Sequence, residues 1–542
     1  MRQLNRDPRP LVIFLLLAVG GGSGCGGGSA AGADAGAAGR LETGNQGGPA
    51  GQDGGDLSGA AGAGGAAGAG EAGTQGSGSG GTAGTSSGGA AGTGSGGTAG
   101  TGSGGTAGTS SGGAAGAGSA GVGGAVNPRC QGASRGDLQL GTANDDQVLG
   151  MTIDGDDNLI ASGYEQGIVG VTNIEPDGDA RAVVLKIGPD GTTLWKTILD
   201  TPGTDTAEDV AVDRATGNLV VVGRTSGAFP TFVNQGQFDL FVALLAPGGQ
   251  LGTLLQAGNE RPQHPARLSL APGGGVLVAG WDDTYIPTNY VAANEDGFLA
   301  AFTIAGTDAA HTITQTAMQY TFPSSMTGPF SFATGVAAEQ DGSGAGYVTT
   351  LVASSRSPEN GISVSKLDAK QALVWDQVIS PDSFDAVTAV GLSPAGELFV
   401  TGGTFHTLGA QAFGQEDAFV MKIDRATGAP IWTAQAGGPD SDYPTALAFD
   451  AAGNIYIAGI TLGSVLAGVP NQGSVDLFAM KFSPAGALVS AWQRGTSEDD
   501  ELTSLAVDSC GRVSVGGYTR GALVAGQASL GGEDMFILNA AF

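Results

Sequence analysis

From Asp137 to Phe542 apolar residues come in short alternating runs, each closed by Gly, Pro, Asp or Asn, and no long stretch keeps a helical period. Such runs read as half-buried strands, and the residues between them suit tight turns because Gly accepts positive φ and Pro presets it. The stretch Thr445 to Trp492 shows the unit: TALAFDAAGNIYIAGIT, an irregular loop, then VDLFAMKFSPAGALVSAW. It predicts one four-stranded antiparallel sheet, with tight turns at Asp450 to Asn454 and Ser483 to Gly486.

The unit recurs, and three landmarks track it. A Gly closing the second strand falls at Gly163, Gly223, Gly280, Gly402, Gly459 and Gly517, mostly 57 to 60 residues apart, with one copy lost in a gap two periods wide. The third strand opens at Arg181, Asp239, Asp296, Gly361, Asp417, Asp476 and Asp534, which gives seven copies. The fourth strand carries Trp195, Trp375, Trp432 and Trp492. Seven short sheets, none able to bury both faces alone, predict an all-β, seven-bladed β-propeller of four-stranded antiparallel blades. A parallel β-helix would need shorter coils with a turn at every corner.

The last copy supplies three strands, ending in Asp534 to Phe542. GDLQLGTANDDQVLGMTID aligns with SAWQRGTSEDDELTSLAVD and places Leu138 to Gly141 where a fourth strand belongs. The N-terminal strand is expected to complete the C-terminal blade and so remove two exposed edges. Cys130 and Cys510 then fall at one end of that blade, and a disulfide between them would clip the ring, with about 4 to 5 kcal/mol to gain in theory from so long a loop. Two separate thiols is the other reading.

The segments DTAEDVAVDRATGNLVVVG, DYPTALAFDAAGNIYIAG and EDAFVMKIDRATGAPIW resemble the bacterial seven-bladed β-propeller repeats known as SBBP repeats. The resemblance runs over Asp137 to Phe542, is strong in the fifth and sixth copies and weak in the third and fourth, and implies a fold more firmly than a function. Lys422 to Trp432 also looks like the Thr-Gly and Trp repeat of quinoprotein propellers and of outer-membrane assembly lipoproteins, but in one clear copy.

The residues before the propeller have a different composition. Arg2, Arg6 and Arg9 precede the apolar run Leu11 to Val19, too short to span a bilayer as a mature helix, so 1–24 reads as a signal peptide. Gly22-Ser23-Gly24-Cys25 resembles a lipobox, with Gly22 where Leu is usual, and Cys25 is the expected lipidation site. Residues 25–126 are almost wholly Gly, Ala, Ser and Thr, and GTAGTSSGGAAG at Gly81 to Gly92 returns verbatim at Gly105 to Gly116. No core can form from them, so they predict a flexible tether reaching about 50 to 60 Å over roughly 100 residues. The propeller domain is assigned to 127–542.

The chain has 22 Lys and Arg against 51 Asp and Glu, a formal charge of −29, most of it on the propeller. That argues against nucleic acid as a partner, since phosphate binding draws on clustered basic residues. The loops after the second strand are long and unlike one another and share a face with the inter-blade loops. Partner binding is expected there, and Phe229, Phe232, Trp281, Tyr285 and Tyr290 are the candidate contacts, with packing onto neighbouring loops as their structural alternative.

A carboxylate recurs eight residues before the end of the first strand, at Asp146, Asp205, Asp385, Asp442 and Asp500. Repetition favours a structural role, bonding N–H groups of the loop that enters each blade, over a ring that attracts a cation such as Ca²⁺. Asp154 to Asn158 lacks the full spacing of a calcium loop and reads as a polar turn. His264, His311 and His406 show no metal-ligand spacing. No catalytic constellation and no cofactor motif emerge. The expected function is a non-catalytic, lipid-anchored module on the outer membrane or cell surface that binds a protein or glycan. The alternatives are an envelope-assembly scaffold or a propeller enzyme, such as a glycan-active hydrolase or lyase, with a quinoprotein oxidoreductase less favoured.

Overall fold

The computed structural model describes residue 130 and residues 135–169, 176–177, 180–283, 295–307, 310–319, 330–353, 361–380 and 385–542. The signal segment, Cys25 and the tether lie outside these residues, as do Tyr285 and Tyr290. Seven antiparallel blades follow one another, and the sixth is representative, with strands Asp442–Phe449, Ile455–Thr461, Asp476–Phe482 and Leu488–Arg494 in that order. Leu138–Leu140 pairs antiparallel with Asp534–Ala540 and is the fourth strand of the seventh blade. In the third and fourth blades a single parallel pair, Glu295 with Phe330, links two otherwise separate sheets.

Every first strand carries a register shift against its second strand, as between Val148 and Gly150, Pro444 and Ala446, and Leu502 and Ser504. The bulge presses a carbonyl into the facing strand, and this explains the Gly landmark. A Cβ at Gly163, Gly402 or Gly459 would lie 1.8 Å from the carbonyl oxygen of Gln147, Ala386 or Tyr443.

In four blades the extra residue of the bulge is Thr. Where it is Thr, the hydroxyl donates to a carbonyl of the following first strand: Thr334 to Val387 (2.7 Å), Thr388 to Pro444 (2.6 Å), Thr445 to Leu502 (2.7 Å) and Thr503 to Val148 (2.5 Å). Four blade junctions are stapled this way around the channel. Thr445→Val keeps the shape but strands the Leu502 carbonyl, so it is expected to lower stability by about 1 to 2 kcal/mol. Chemical denaturation of the variant measures this, and an unchanged midpoint would count against the staple.

The outer seam uses the Trp landmark. Trp195, Trp375 and Trp432 sit against Gly249, Gly428 and Gly486 in the turn of the next blade, where a Cβ would fall 2.7 to 2.9 Å from the indole. Trp195 and Trp375 also donate their indole N–H to the carbonyls of Pro247 and Arg425, each at 3.1 Å. Trp492 departs from the expected equivalence. It pairs with Ala479, whereas Trp432 pairs with Lys422, so it sits deeper in its strand and fills the core between the sixth and seventh blades.

Closure joins the chain ends closely. Cys130 and Cys510 are disulfide-bonded, with Cα atoms 5.5 Å apart. Arg135, buried, donates to Gly188 O, Ser514 Oγ and Asp157 O, and Asp157 in turn accepts from Ser509 N and Oγ. Leu138 and Leu140 pack against the cluster formed by the first and last blades.

Candidate functional site

The face that carries the long loops is built on a repeated side-chain clamp. In four blades a Gln of the fourth strand lies opposite a Phe of the third: Gln256 with Phe241, Gln435 with Phe419, Gln493 with Phe478, and Gln139 with Phe536. Each Gln donates to the Asp that opens its third strand, Asp239, Asp417, Asp476 and Asp534, at 2.8 to 3.2 Å. The same Nε2 donates to a carbonyl near the start of the loop, at Gly227, His406, Gly463 and Gly521. Its Oε1 accepts loop N–H groups, from Phe229, Leu408, Val465 and Leu523.

The Asp then holds the far end of the loop, accepting from the N–H of Gln235, Phe413, Gln472 and Leu530, each four residues upstream. One buried Asp–Gln pair thus pins both ends of a loop and leaves its middle to vary. In the seventh blade the Gln comes from the N-terminal strand, so the pattern survives the change of chain end.

The recurring entry carboxylates are buried and bond their own loops. Asp146, Asp205, Asp442 and Asp500 accept the N–H four residues upstream, from Thr142, Thr201, Gly438 and Thr496, at 2.5 to 2.6 Å. Asp385 accepts from Phe405 N at 3.0 Å, and His406 Nδ1 lies 3.3 Å from the same oxygen. Among the described residues no group of three or more His, Cys, Asp or Glu is arranged to hold a metal ion. Burial raises the Asp146 carboxyl and pushes those of Asp205, Asp442 and Asp500 up to about 6, the neighbouring Asp417 and Asp476 adding to the last two. Glu416, buried beside Asp385, Asp417 and Asp442, is raised well above the carboxylate range by desolvation first and by those charges second.

The candidate aromatics divide. Phe229 is buried, edge-on to Phe241, because its N–H bond to Gln256 draws the loop down onto the blade. Phe232 packs on the same cluster, and its N–H bonds Phe229 O. Trp281 is buried, stacked on His264 and edge-on to Phe332, and Arg224 contacts His264 Nδ1 at 2.5 Å. These three side chains therefore belong to the packed scaffold. The exposed large apolar side chains on clamped loops are Val233, Phe413 and Leu530. Asp154 accepts the N–H groups of Asp156 and Asn158 and pairs with Lys186 at 2.8 Å, a closed polar turn with an ammonium in place. His264 and His311 lie in the first and the outer strand of the third blade, and His406 lies in a loop of the fifth.

Seven radial blades, a closing strand shared between the chain ends and variable loops on one face define a seven-bladed β-propeller. Within it, residues 431–466 match the SBBP family, described as a beta-propeller repeat. That stretch takes in Gln435 of the clamp, the entry Asp442, the staple Thr445 and the Gly459 landmark. No match is found among curated proteins. Among solved structures, Sqt1 from Chaetomium thermophilum is 13% identical over 73% of this chain and 86% of that one, with a TM-score of 0.39. Puromycin hydrolase is 16% identical over 70% of this chain, with a TM-score of 0.39, and the chain spans 50% of its length. Neither likeness bears on function.

Proposed function

We propose that the protein is a non-catalytic binding module that engages a protein or glycan of the cell envelope through its long-loop face. In this reading residues 1–24 direct export, Cys25 carries the lipid, and residues 25–126 hold the propeller away from an outer membrane or cell surface. The clamp is the observation that supports it most. It repeats in four blades although the loops it holds differ in sequence, which is how a scaffold fixes loop ends while leaving contact chemistry to vary.

Substituting Val233, Phe413 and Leu530 together with Ser is expected to weaken partner capture at least tenfold in a glycan array or an envelope pull-down, with the melting temperature almost unchanged, because these side chains contribute little to the core. A triple variant that retains every wild-type partner would overturn the face assignment. The anchor is tested separately: Cys25→Ser should move the protein from the detergent phase to the aqueous phase.

A further inference from the structure

Two of the residues that precede a third-strand Asp are buried glutamates, Glu416 and Glu533. Glu416 O accepts Asp442 N at 2.8 Å and Glu533 O accepts Asp146 N at 2.7 Å, so both occupy the same place at the junction with the next blade. The fold sets the burial, since Ala180 and Val475 stand at this place in the first and sixth blades and are buried as well. A carboxylate there needs donors. The seventh blade provides two: Arg520 pairs with Glu533 Oε1 at 2.5 Å, and Gln147 Nε2 donates to Oε2 at 2.6 Å.

The fifth blade provides neither. Phe405 follows Thr404, which pairs with Asp417, as Arg520 follows Thr519, which pairs with Asp534. Tyr443 follows the entry Asp442 as Gln147 follows Asp146. The charges that act on Glu416 are those of Asp385, Asp442 and Asp417, all of its own sign. Asp385 Oδ2 and Asp417 Oδ1 are buried without a hydrogen-bond partner, and so is the hydroxyl of Tyr443, which is 1% exposed and faces Glu416. The cover over this cluster is slight. Phe405 is half-buried, and the His406 side chain is 44% exposed with its Nδ1 3.3 Å from Asp385 Oδ1.

We propose that the junction of the fifth and sixth blades binds a guanidinium, brought by an arginine side chain of a partner protein, with Glu416 and Asp385 as its acceptors and the Tyr443 hydroxyl beside them. It is the cation that the fold itself sets against Glu533. A guanidinium presents five N–H donors in one plane and so suits acceptors spread over several side chains. A chain of net charge −29 draws a basic partner toward it. The proposal deepens the loop-face reading and rests on it for the direction of approach, since Glu416 ends the loop that carries Phe413. It names a protein, not a glycan, as the source of the charge.

The test is calorimetric titration of the full-length protein with the peptide acetyl-Gly-Arg-Gly-amide, beside the same peptide carrying citrulline or lysine, and with calcium chloride. The arginine peptide should bind saturably at one site, at least tenfold more tightly than the citrulline peptide and more tightly than the lysine one. Binding should also release a proton from Glu416, seen as a heat that varies with the ionisation enthalpy of the buffer. Glu416→Gln should weaken binding at least tenfold, and Phe405→Arg, which rebuilds the arrangement of the seventh blade, should abolish it. No saturable binding to the wild type overturns the proposal, as does equal binding of the citrulline or lysine peptide, or calcium that competes with the peptide. If Glu416→Gln fails to fold, Phe405→Arg decides, and an unchanged affinity there is equally fatal. The Val233, Phe413 and Leu530 variant should bind the peptide as wild type does. Should it keep every envelope partner while the peptide results stand, the face assignment alone falls; should it lose its partners while no peptide binds, the guanidinium site alone falls.

Discussion

Deleting Asp137 to Gly141 lowers the melting temperature far more than deleting five tether residues such as Gly81 to Thr85. The short strand is the fourth of its blade, and Gln139 alone bonds Asp534, Gly521, Leu523 and Val524. Asp137 accepts from Asn539 N and pairs with Arg494 at 2.6 Å. At about 1 kcal/mol per bond, with buried partners left unsatisfied, the loss is on the order of 5 kcal/mol or more. That is comparable with the whole stability of many domains, about 5 to 15 kcal/mol. Calorimetry on both deletions decides it, and equal melting temperatures would refute the closing role. A non-reducing peptide map of the wild type should recover the Cys130 and Cys510 peptides joined, and free thiols at both would remove the clip.

Stability is expected to rise as the pH falls from 7 to 5, the reverse of ordinary acid sensitivity. Asp205, Asp442 and Asp500 have folded pKa values pushed up to about 6 from 3.8, so the native state binds protons that the unfolded chain does not. Their contribution is fully present below about pH 3.8 and is lost as the pH climbs through about 6. Between pH 5 and 7 each is worth about 1 kcal/mol. The exposed turn carboxylates Asp190, Asp368 and Asp424 are held low by backbone and hydroxyl donors, and their opposite effect falls below pH 4. Denaturant midpoints at pH 5 and pH 7 test this. Asp442→Asn and Asp500→Asn should each flatten the difference, and a midpoint that falls steadily from pH 7 to pH 5 in the wild type would exclude the proton uptake.

The blade count and the closing strand were legible because they rest on turn residues and alternation, which survive drift. Gly459 and its counterparts could be followed because the bulge carbonyl leaves no room for a Cβ. The clamp was harder to see. Its Gln lies three residues after Trp432 but directly after Trp492, because Trp492 is not the equivalent Trp, so no fixed spacing marks it in the sequence. A better signal was the Thr that ends the second strand, at Thr225, Thr404, Thr461 and Thr519, each bonding the N–H two residues on. Trp281 and Phe229 read as loop aromatics because composition does not say which way a loop folds, and a single Gln side chain turned Phe229 inward.

The Asp–Gln clamp of the seventh blade joins residues nearly four hundred positions apart, Gln139 with Asp534. A chain made from its N-terminus carries Leu138–Leu140 first and its partner Asp534–Ala540 last. Six blades can pair their strands locally while this edge waits, since their hairpins need only short loops to close. The slow step is then the meeting of the two ends, and until it occurs the unpaired edges of the half-built blade are open to a second chain. Dilution or a transient cover on that edge would matter more to the yield of native protein than the stability of any single blade.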